Sequence, residues 1–560
     1  MARSIAALLL FAAPLFAHGG QFRPPGGQPK VPPPPGLPAQ PTAPSQTGKV
    51  NHSWTVWWGY EQYQFVDIRR RQRERRGPTS GGEPEKKVDD WRRDLRLQLI
   101  PMLRAALTDK DKEVRTAAAV ALGKLQAKEA IEDLQTMLRQ DKLQEAREAA
   151  LTGLMYMQEP QLRETFEKIA RKRSEKLRVR GFALFGIGRL GDAESLRYLQ
   201  AFFDRKDKRA KAILPTGKGE RRQFRVAALA ALLMSEAKGL DDFFAGVATD
   251  KRLDEQVRAY AASALGKVGA RDKMGALVKL LKDEGDHIQV RRSAAVALGV
   301  LGKPMDAIAV QTLRGTARGG RDDPLRHFSL VSLGRIGGKS TVDFLLGELK
   351  VVRNEDREFV LIALGLSGDR RVAPTLVRAL QTERNAKRKS AAAISIGLLG
   401  DPTIAAELHK EFRHAKDWLL MQSCSLALGM LDYKPSGERL KDVLTTKKQP
   451  ALQSSAALAY AMIRQHSAVP LFVDMLRRTK SVVTMTAIVR VMSYLSSANA
   501  AKPLIDVWHD KKMQRLVRAY ALVSLGQLAD DEDFPLLVRM GFNLNYFVRC
   551  EPLDEAITIL

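Results

Sequence analysis

Apolar and small residues recur along this chain with helical spacing, and the whole pattern repeats about every 32 residues. In the stretch that begins at Val114, the residues Val114, Ala118, Ala121, Leu122 and Leu125 fall on one helical face. The same phrase returns as VRGFALFGIGRLG, VRAYAASALGKVG and VRRSAAVALGVLG. A fixed period of this size predicts helix pairs that stack side by side into a solenoid.

A basic residue marks the register of most repeats. The marks are Arg115, Arg147, Arg180, Arg225, Arg258, Arg291, Arg326, Arg357 and Lys389, and Met421, Gln453, Met485 and Arg518 continue the register. The sequence therefore predicts an all-α fold, an α-solenoid of about thirteen helix pairs over residues 94–530. One interval measures 45 residues, which predicts an insertion at 204–222.

A glycine follows the mark by eight residues in nine of the thirteen units. These glycines are Gly123, Gly188, Gly266, Gly299, Gly334, Gly365, Gly397, Gly429 and Gly526. Glycine inside a helix costs about 1 kcal/mol relative to alanine. Its recurrence predicts a close approach between neighbouring helices, where a side chain would collide.

The pattern D-x-x-x-x-VR-x-x-A-x-x-ALG-x-L-G, seen at 109–125 and 286–302, resembles the short, PBS-lyase-type repeats of the HEAT-repeat family. The resemblance covers roughly residues 94–530. It implies a protein-binding scaffold, although a few members are lyases or hydroxylases. It also implies that the marks Arg115, Arg180, Arg258 and Arg291 bridge adjacent repeats.

The N-terminal 50 residues read as a targeting and spacer region. Arg3 and the apolar run from Ile5 to Phe16 predict a signal peptide over residues 1–17, too short to span a membrane. Residues 18–50 are rich in Pro and Gly and predict an extended, disordered linker. We therefore expect an exported protein, periplasmic or extracellular.

The two ends of the solenoid are expected to carry caps, because exposed terminal repeats need covering. Residues 51–93 supply an aromatic and Arg-rich N-terminal cap, and residues 531–560 supply a C-terminal cap. Between them, thirteen stacked units predict an elongated body about 110 Å long. The aromatic element before the repeats also resembles the start of exported bacterial HEAT-repeat proteins of unknown role.

The same N-terminal element has a second interpretation as a partner-binding patch, since Trp and Tyr are common binding hot spots. Its candidate residues are Trp54, Trp57, Trp58 and Tyr60, followed by Arg69, Arg70, Arg71 and Arg73. The insertion adds Arg205, Lys206, Lys208, Arg209 and Lys211, because insertions in repeat arrays map to one face. The net charge of +28 makes a polyanion a further candidate partner.

Catalytic chemistry finds little support in the sequence. His409, Glu411 and His414 form the densest set of potential metal ligands, but the two histidines lie about 140° apart around a helix. We predict no catalytic residue, no metal and no cofactor. The expected function is a non-enzymatic exported scaffold for protein partners, with polyanion or envelope binding as the alternative and a lyase or hydroxylase last.

Overall fold

The structure, a computed structural model, describes residues 53–66, 68, 86–495, 497–530, 536–548 and 550–554. The predicted signal peptide, the linker and the Arg-rich residues Arg69, Arg70, Arg71 and Arg73 lie outside the described residues. Within them the secondary structure is helical, with no strand. The all-α prediction is confirmed.

The α-helices pair along the chain as the repeat predicts. In chain order they are α1 (Trp54–Glu61), α2 (Lys86–Ala106), α3 (Lys112–Lys124), α4 (Ile131–Gln140), α5 (Gln144–Met157), α6 (Arg163–Arg171), α7 (Leu177–Leu190), α8 (Ala193–Ala201), α9 (Lys208–Ile213), α10 (Lys218–Met234), α11 (Asp241–Thr249), α12 (Glu255–Lys267), α13 (Met274–Lys282), α14 (Ile288–Leu301), α15 (Ala307–Gly319), α16 (Asp323–Ile336), α17 (Lys339–Val351), α18 (Asn354–Leu366), α19 (Ala373–Thr382), α20 (Ala386–Leu399), α21 (Ala405–His414), α22 (Trp418–Met430), α23 (Gly437–Thr446), α24 (Pro450–Arg464), α25 (Val469–Arg478), α26 (Val482–Ser493), α27 (Ala498–His509), α28 (Arg515–Ala529) and α29 (Leu536–Gly541).

Each pair has an outer helix, from α2 to α27, and an inner helix, from α3 to α28, that carries the recurrent phrase. The inner helices are almost wholly buried, as in α5 and α22, while the outer helices bury one face. Capping residues mark the helix ends. Asp111 accepts a hydrogen bond from the Glu113 amide at the start of α3, and Gly400 ends α20 with φ +69°.

The inner helices form a closed ring. Each contacts the inner helix of the next pair, and α28 of the last pair contacts α3 of the first. At this joint Lys124 Nζ donates to Gln527 Oε1 over 2.6 Å, and Arg515 pairs with Asp111 at 3.2 Å. The expectation of an elongated body is therefore wrong, because the array returns to its own first repeat.

The recurrent glycines stand where inner helices meet. A Cβ atom on Gly334 would lie 2.6 Å from Ala363 Cα, and one on Gly365 would lie 2.7 Å from Ser395 Cα. Gly429 meets Ala459 in the same way at 3.0 Å. Distances of this size leave no room for a side chain, so the glycines set the spacing of the ring.

The basic marks tie the repeats together at the ends of the outer helices. Arg115 pairs with Asp141 of the following repeat at 2.9 Å, and Arg258 pairs with Asp286 at 2.5 Å. Arg291 instead donates to the Leu281 carbonyl, which closes the end of its own outer helix. The marks thus satisfy carbonyl groups that a helix C-terminus leaves unpaired.

Candidate partner-binding surfaces

The N-terminal aromatic element lies inside the ring. Trp54, Trp57 and Trp58 are buried, and Trp54 Nε1 donates to the Lys387 carbonyl of α20 over 3.1 Å. Tyr60 stacks on Tyr546 with ring centroids 5.1 Å apart. The proposed role of these four residues as an exposed recognition patch is corrected, because their rings pack against this chain's own residues.

The C-terminal segment, residues 536–548 and 550–554 as described, shares the interior of the ring. The Asn545 side chain donates to the Gln289 carbonyl over 3.1 Å, and Pro552 lies where a Cβ on Gly181 would sit. Phe547 lies under the guanidinium of Arg292 at 4.6 Å. A closed ring has no exposed ends that need a cap. The expectation of an N-terminal and a C-terminal cap is therefore corrected, because both segments pack inside the lumen instead.

The insertion at 204–222 is folded onto the ring. It forms the short helix α9, whose Asp207 side chain accepts from the Ala210 amide over 2.8 Å. Arg180 reaches from α7 to the Ile213 carbonyl over 2.6 Å, and its guanidinium lies 4.7 Å from the centre of the Phe224 ring. These contacts hold the insertion against α7 and the start of α10.

The basic residues of the insertion form one exposed surface, which we call the insertion ridge. Its members are Arg205, Lys206, Lys208, Arg209 and Lys211, and all five side chains are exposed. None of them forms an ion pair within the described part of the chain. The structure therefore brings together the five insertion candidates, in contrast to the aromatic candidates, which it buries.

Beside the ridge lies an open groove of about 530 Å³, the insertion groove, between α8 and α11. Phe203 and Phe243 form its apolar wall, with ring centroids 5.3 Å apart and planes at 86°. Asp204 and Asp207 line the side that faces the insertion.

The carboxylates of the groove differ in how they are neutralised. Asp242 pairs with Lys273 at 2.6 Å, and Asp250 pairs with Arg252 at 2.7 Å. The hydrogen bond from Arg252 lowers the pKa of Asp250. Asp204 accepts a hydrogen bond from the Lys206 amide over 2.8 Å and has no ion-pair partner among the described residues.

Sequence reasoning missed the groove and its two phenylalanines. Phe203 and Phe243 lie forty positions apart on different repeats, so no local motif joins them. The 45-residue interval was the one available signal, since it placed a structural irregularity between these repeats. It pointed to the basic residues of the insertion rather than to the surface that they border.

Two titratable groups in the lumen have shifted pKa values. Burial raises the pKa of Glu358 to about 7, although the nearby Lys387 and the backbone amide of Trp54 act to lower it. Burial lowers the pKa of Lys267 to about 8, and its Nζ donates to the Arg539 carbonyl over 2.9 Å. Both shifts arise from desolvation inside the ring.

Candidates for chemistry among the described residues are the metal-ligating and thiol side chains. No group of three or more His, Cys, Asp or Glu side chains is placed to hold a metal ion there. Cys424 and Cys550 are free and buried, and burial raises the pKa of both thiols. Across the described helices, none has the length and apolar character that spanning a bilayer requires.

The described residues define a class: an α-solenoid of thirteen helix pairs closed into a ring, with residues 53–66 and the C-terminal segment packed in its lumen. Residues 90–155 and 247–334 match the sequence profile of the HEAT repeats family, and the chain contains HEAT repeats. A comparison with curated protein sequences finds no match.

Several solved structures are similar in fold. Human deoxyhypusine hydroxylase is 19% identical, over 49% of this chain and 96% of the other, with a TM-score of 0.22. The CpcE and CpcF complex of phycocyanin lyase from Nostoc sp. PCC7120 is 23% identical, over 46% and 94%, with a TM-score of 0.30. Kap121p bound to Pho4p is 11% identical, over 80% of this chain and 59% of the other, with a TM-score of 0.36.

Proposed function

We propose that this protein is a non-enzymatic, exported scaffold that binds protein partners on the outer surface of its ring. The insertion groove is the observation that carries the proposal. In the described part of the chain, residues 53–66 and the C-terminal segment pack on the inner surface, and the groove gives the outer surface an open, apolar and charged feature. Aromatic side chains such as Phe203 and Phe243 are enriched in the cores of protein–protein interfaces.

Three further observations support the proposal. HEAT repeats form extended surfaces whose shape suits protein partners. The two cysteine thiols are buried, and a thiol with a raised pKa is a poor nucleophile. The N-terminal sequence, which lies outside the described residues, has the form of a signal peptide.

A capture experiment tests the binding surface. The chain from His18 onward is cross-linked in an envelope extract at two salt concentrations, and retained proteins are quantified by mass spectrometry. We expect a defined protein to survive high salt on the native chain and to be lost from the variant Asp204→Lys with Phe243→Ala. Equal retention by native chain and variant excludes the groove as the binding surface.

The matched control carries the same two kinds of substitution away from the insertion. Asp506 is exposed on α27 and Phe344 is half-buried on α17, so Asp506→Lys with Phe344→Ala changes charge and aromatic area equally. This control is expected to retain the partner. The mass of the protein recovered outside the cytoplasm tests export, since removal of residues 1–17 leaves His18 at the N-terminus.

A second candidate function, the binding of a polyanion, is favoured by the insertion ridge. Five exposed cations without an ion-pair partner in the described chain lie on one short segment, within a protein of net charge +28. Neutralisation of phosphate or sulfate groups by such cations releases counterions and is therefore weakened by salt. The Arg-rich candidates Arg69, Arg70, Arg71 and Arg73 would add to this charge.

Heparin chromatography separates a local site from general charge. The variant with Lys206→Gln, Lys208→Gln and Arg209→Gln removes three positive charges from the ridge. The control with Lys480→Gln, Lys511→Gln and Lys512→Gln removes three exposed charges elsewhere. We expect only the ridge variant to elute at clearly lower salt. Equal shifts for both variants mean that net charge alone controls binding.

A further inference from the structure

The ring lumen holds an aromatic helix in the manner of a bound ligand. Trp54, Trp57, Trp58 and Glu61 of α1 stand at positions i, i+3, i+4 and i+7, and all four side chains are buried. This spacing places them on one face of the helix, the arrangement by which a helix binds a groove in a partner protein. Thr55 and Gly59, beside that face, are buried as well. The inner helices of the ring supply that groove.

Two anchors of α1, Trp54 and Glu61, have specific hydrogen-bond partners in the ring. Trp54 donates from Nε1 to the Lys387 carbonyl, and Glu358 of α18 lies close enough to accept from the Trp54 backbone amide. Glu61 accepts from Arg335 Nη2 at 2.8 Å and from the Asn543 amide at 2.9 Å. The carboxylate thus joins α16 to the C-terminal segment and has its charge balanced by one guanidinium.

The residues that follow α1 extend the contact to the far arc of the ring. The Tyr63 ring lies 5.6 Å from the guanidinium of Arg490 in α26. Val66 is buried. We call residues 53–66 the lumen helix segment. Its side chains contact repeats on two separated parts of the ring.

The joint that closes the ring is a direct contact between two inner helices. The joint between the last and the first repeat is made by α28 and α3, through Gly526 against Ala121 and Lys124 with Gln527. Neighbouring inner helices also pack directly on each other around the circle. The inner helices therefore form a continuous circle, and α1 packs against them on the inner side.

We propose that the lumen is a binding site for an aromatic helix, occupied here by residues 53–66, and that it accepts the same element from a protein partner. The partner element carries two indoles spaced by three or four residues and a carboxylate one turn further on. Trp54, Trp57 and Glu61 define this chemistry, because the ring provides a carbonyl acceptor for the first and a guanidinium for the last. This site is distinct from the insertion groove.

A peptide in trans tests the proposal. The probe is a fluorescent peptide of residues 51–68, and the receptor is the full chain with Trp54→Ala, Trp57→Ala and Glu61→Ala, which weakens the internal ligand. We expect saturable binding to this variant and at least tenfold weaker binding to the native chain, whose site is filled. A peptide with alanine at the positions of Trp54 and Trp57 is the control and is expected not to bind.

The outcome is decisive in either direction. The variant must first be shown to fold, by its helical circular dichroism and a cooperative melt. If the folded variant binds neither peptide, or binds both equally, the lumen helix segment is a fixed part of the core and the proposal is wrong. If the variant does not fold, hydrogen exchange of the native chain decides. Amides of residues 53–66 must then exchange faster than those of α16 and α20, and equal or slower exchange contradicts a replaceable ligand.

Discussion

Gly526 of the last repeat lies directly against Ala121 of the first. A Cβ atom on Gly526 would approach Ala121 Cα to 2.9 Å, the same contact that Gly429 makes with Ala459 between two consecutive repeats. The joint that closes the ring therefore uses the same geometry as the internal joints that carry the recurrent glycine. Closure follows from repetition: the thirteenth inner helix meets the first as if it were the next unit.

A bulky residue at this joint is expected to open or strain the ring. Leucine in Gly526→Leu would overlap the backbone of α3, and overpacking of this kind costs about 1–3 kcal/mol or more. We expect a lower thermal midpoint together with a larger radius of gyration in small-angle scattering. The two measurements separate an opened ring from a ring that is merely less stable.

The control for this prediction uses a glycine on an outer helix. A Cβ atom on Gly347 of α17 would meet no other atom within 4 Å, so Gly347→Leu is expected to leave scattering and melting nearly unchanged. Ring closure through Gly526 is contradicted if both variants behave like the native chain.

The buried ion pair between Arg258 and Asp286 leads to a second prediction. Both side chains are about 95% inaccessible, and the two atoms Nη2 and Oδ2 lie 2.5 Å apart. Asp286→Ala leaves a buried guanidinium without its carboxylate, which costs about 3–5 kcal/mol in unfolding free energy. We expect a large drop in the urea midpoint, measured by circular dichroism.

A double variant that replaces both Arg258 and Asp286 separates the loss of the ion pair from the cost of an unpaired charge. Arg258→Met with Asp286→Leu removes both charges and is expected to recover most of the loss, because no unpaired charge remains. The exposed pair Lys502 and Asp506, at 3.2 Å, is the control, and Asp506→Ala is expected to cost about 1 kcal/mol or less. Similar losses of unfolding free energy for Asp286→Ala and Asp506→Ala would show that the buried pair stabilises the fold no more than the exposed pair.

The sequence predicted the repeat, the number of pairs and the crowded glycines, because these depend on neighbours that are 32 residues apart. The sequence could not predict that the ring closes, because the curvature of a solenoid is the sum of small rotations between repeats. The wrong position of the aromatic element follows from the same limit. Trp54, Trp57 and Trp58 were expected to pack on an open end of the solenoid. In the closed ring they are buried in the lumen instead.

The pH dependence of stability is expected to change in Glu358→Gln. Burial raises the folded-state pKa of Glu358 to about 7, above its ordinary value. A carboxyl with a raised folded pKa contributes stability at pH below its unfolded pKa, and this contribution is lost as the pH rises through about 7. Glutamine stays neutral, so the variant should melt at a higher temperature than the native chain at pH 8.

The difference between the two melting curves, rather than either curve alone, checks this prediction. At pH 4 the native carboxyl is protonated and the two midpoints should nearly coincide. Glu355→Gln, on the exposed side of the same helix, is the control and is expected to follow the native chain at both pH values. A constant offset between native chain and Glu358→Gln from pH 4 to pH 8 would contradict the assignment.

Arg180 is expected to hold the insertion against the ring. Its Nε donates to the Ala170 carbonyl over 2.8 Å, and its Nη2 donates to the Ile213 carbonyl of the insertion over 2.6 Å. Arg180→Leu removes both donors, so α9 loses its tether to α7. We expect limited trypsin digestion to cut the insertion several times faster in the variant, because the ridge residues are trypsin sites and cleavage needs local unfolding.

Arg291→Leu provides the matched control for Arg180→Leu. Arg291 occupies the same register on α14 and donates to the Leu281 carbonyl over 3.1 Å, but no insertion follows its repeat. Loss of this mark weakens its own joint and leaves α9 anchored, so cleavage between Arg205 and Lys211 should proceed at the native rate. Faster cleavage there in both variants would mean that the insertion responds to general loosening of the ring, and that the contact between Arg180 and Ile213 does not position the ridge and the groove.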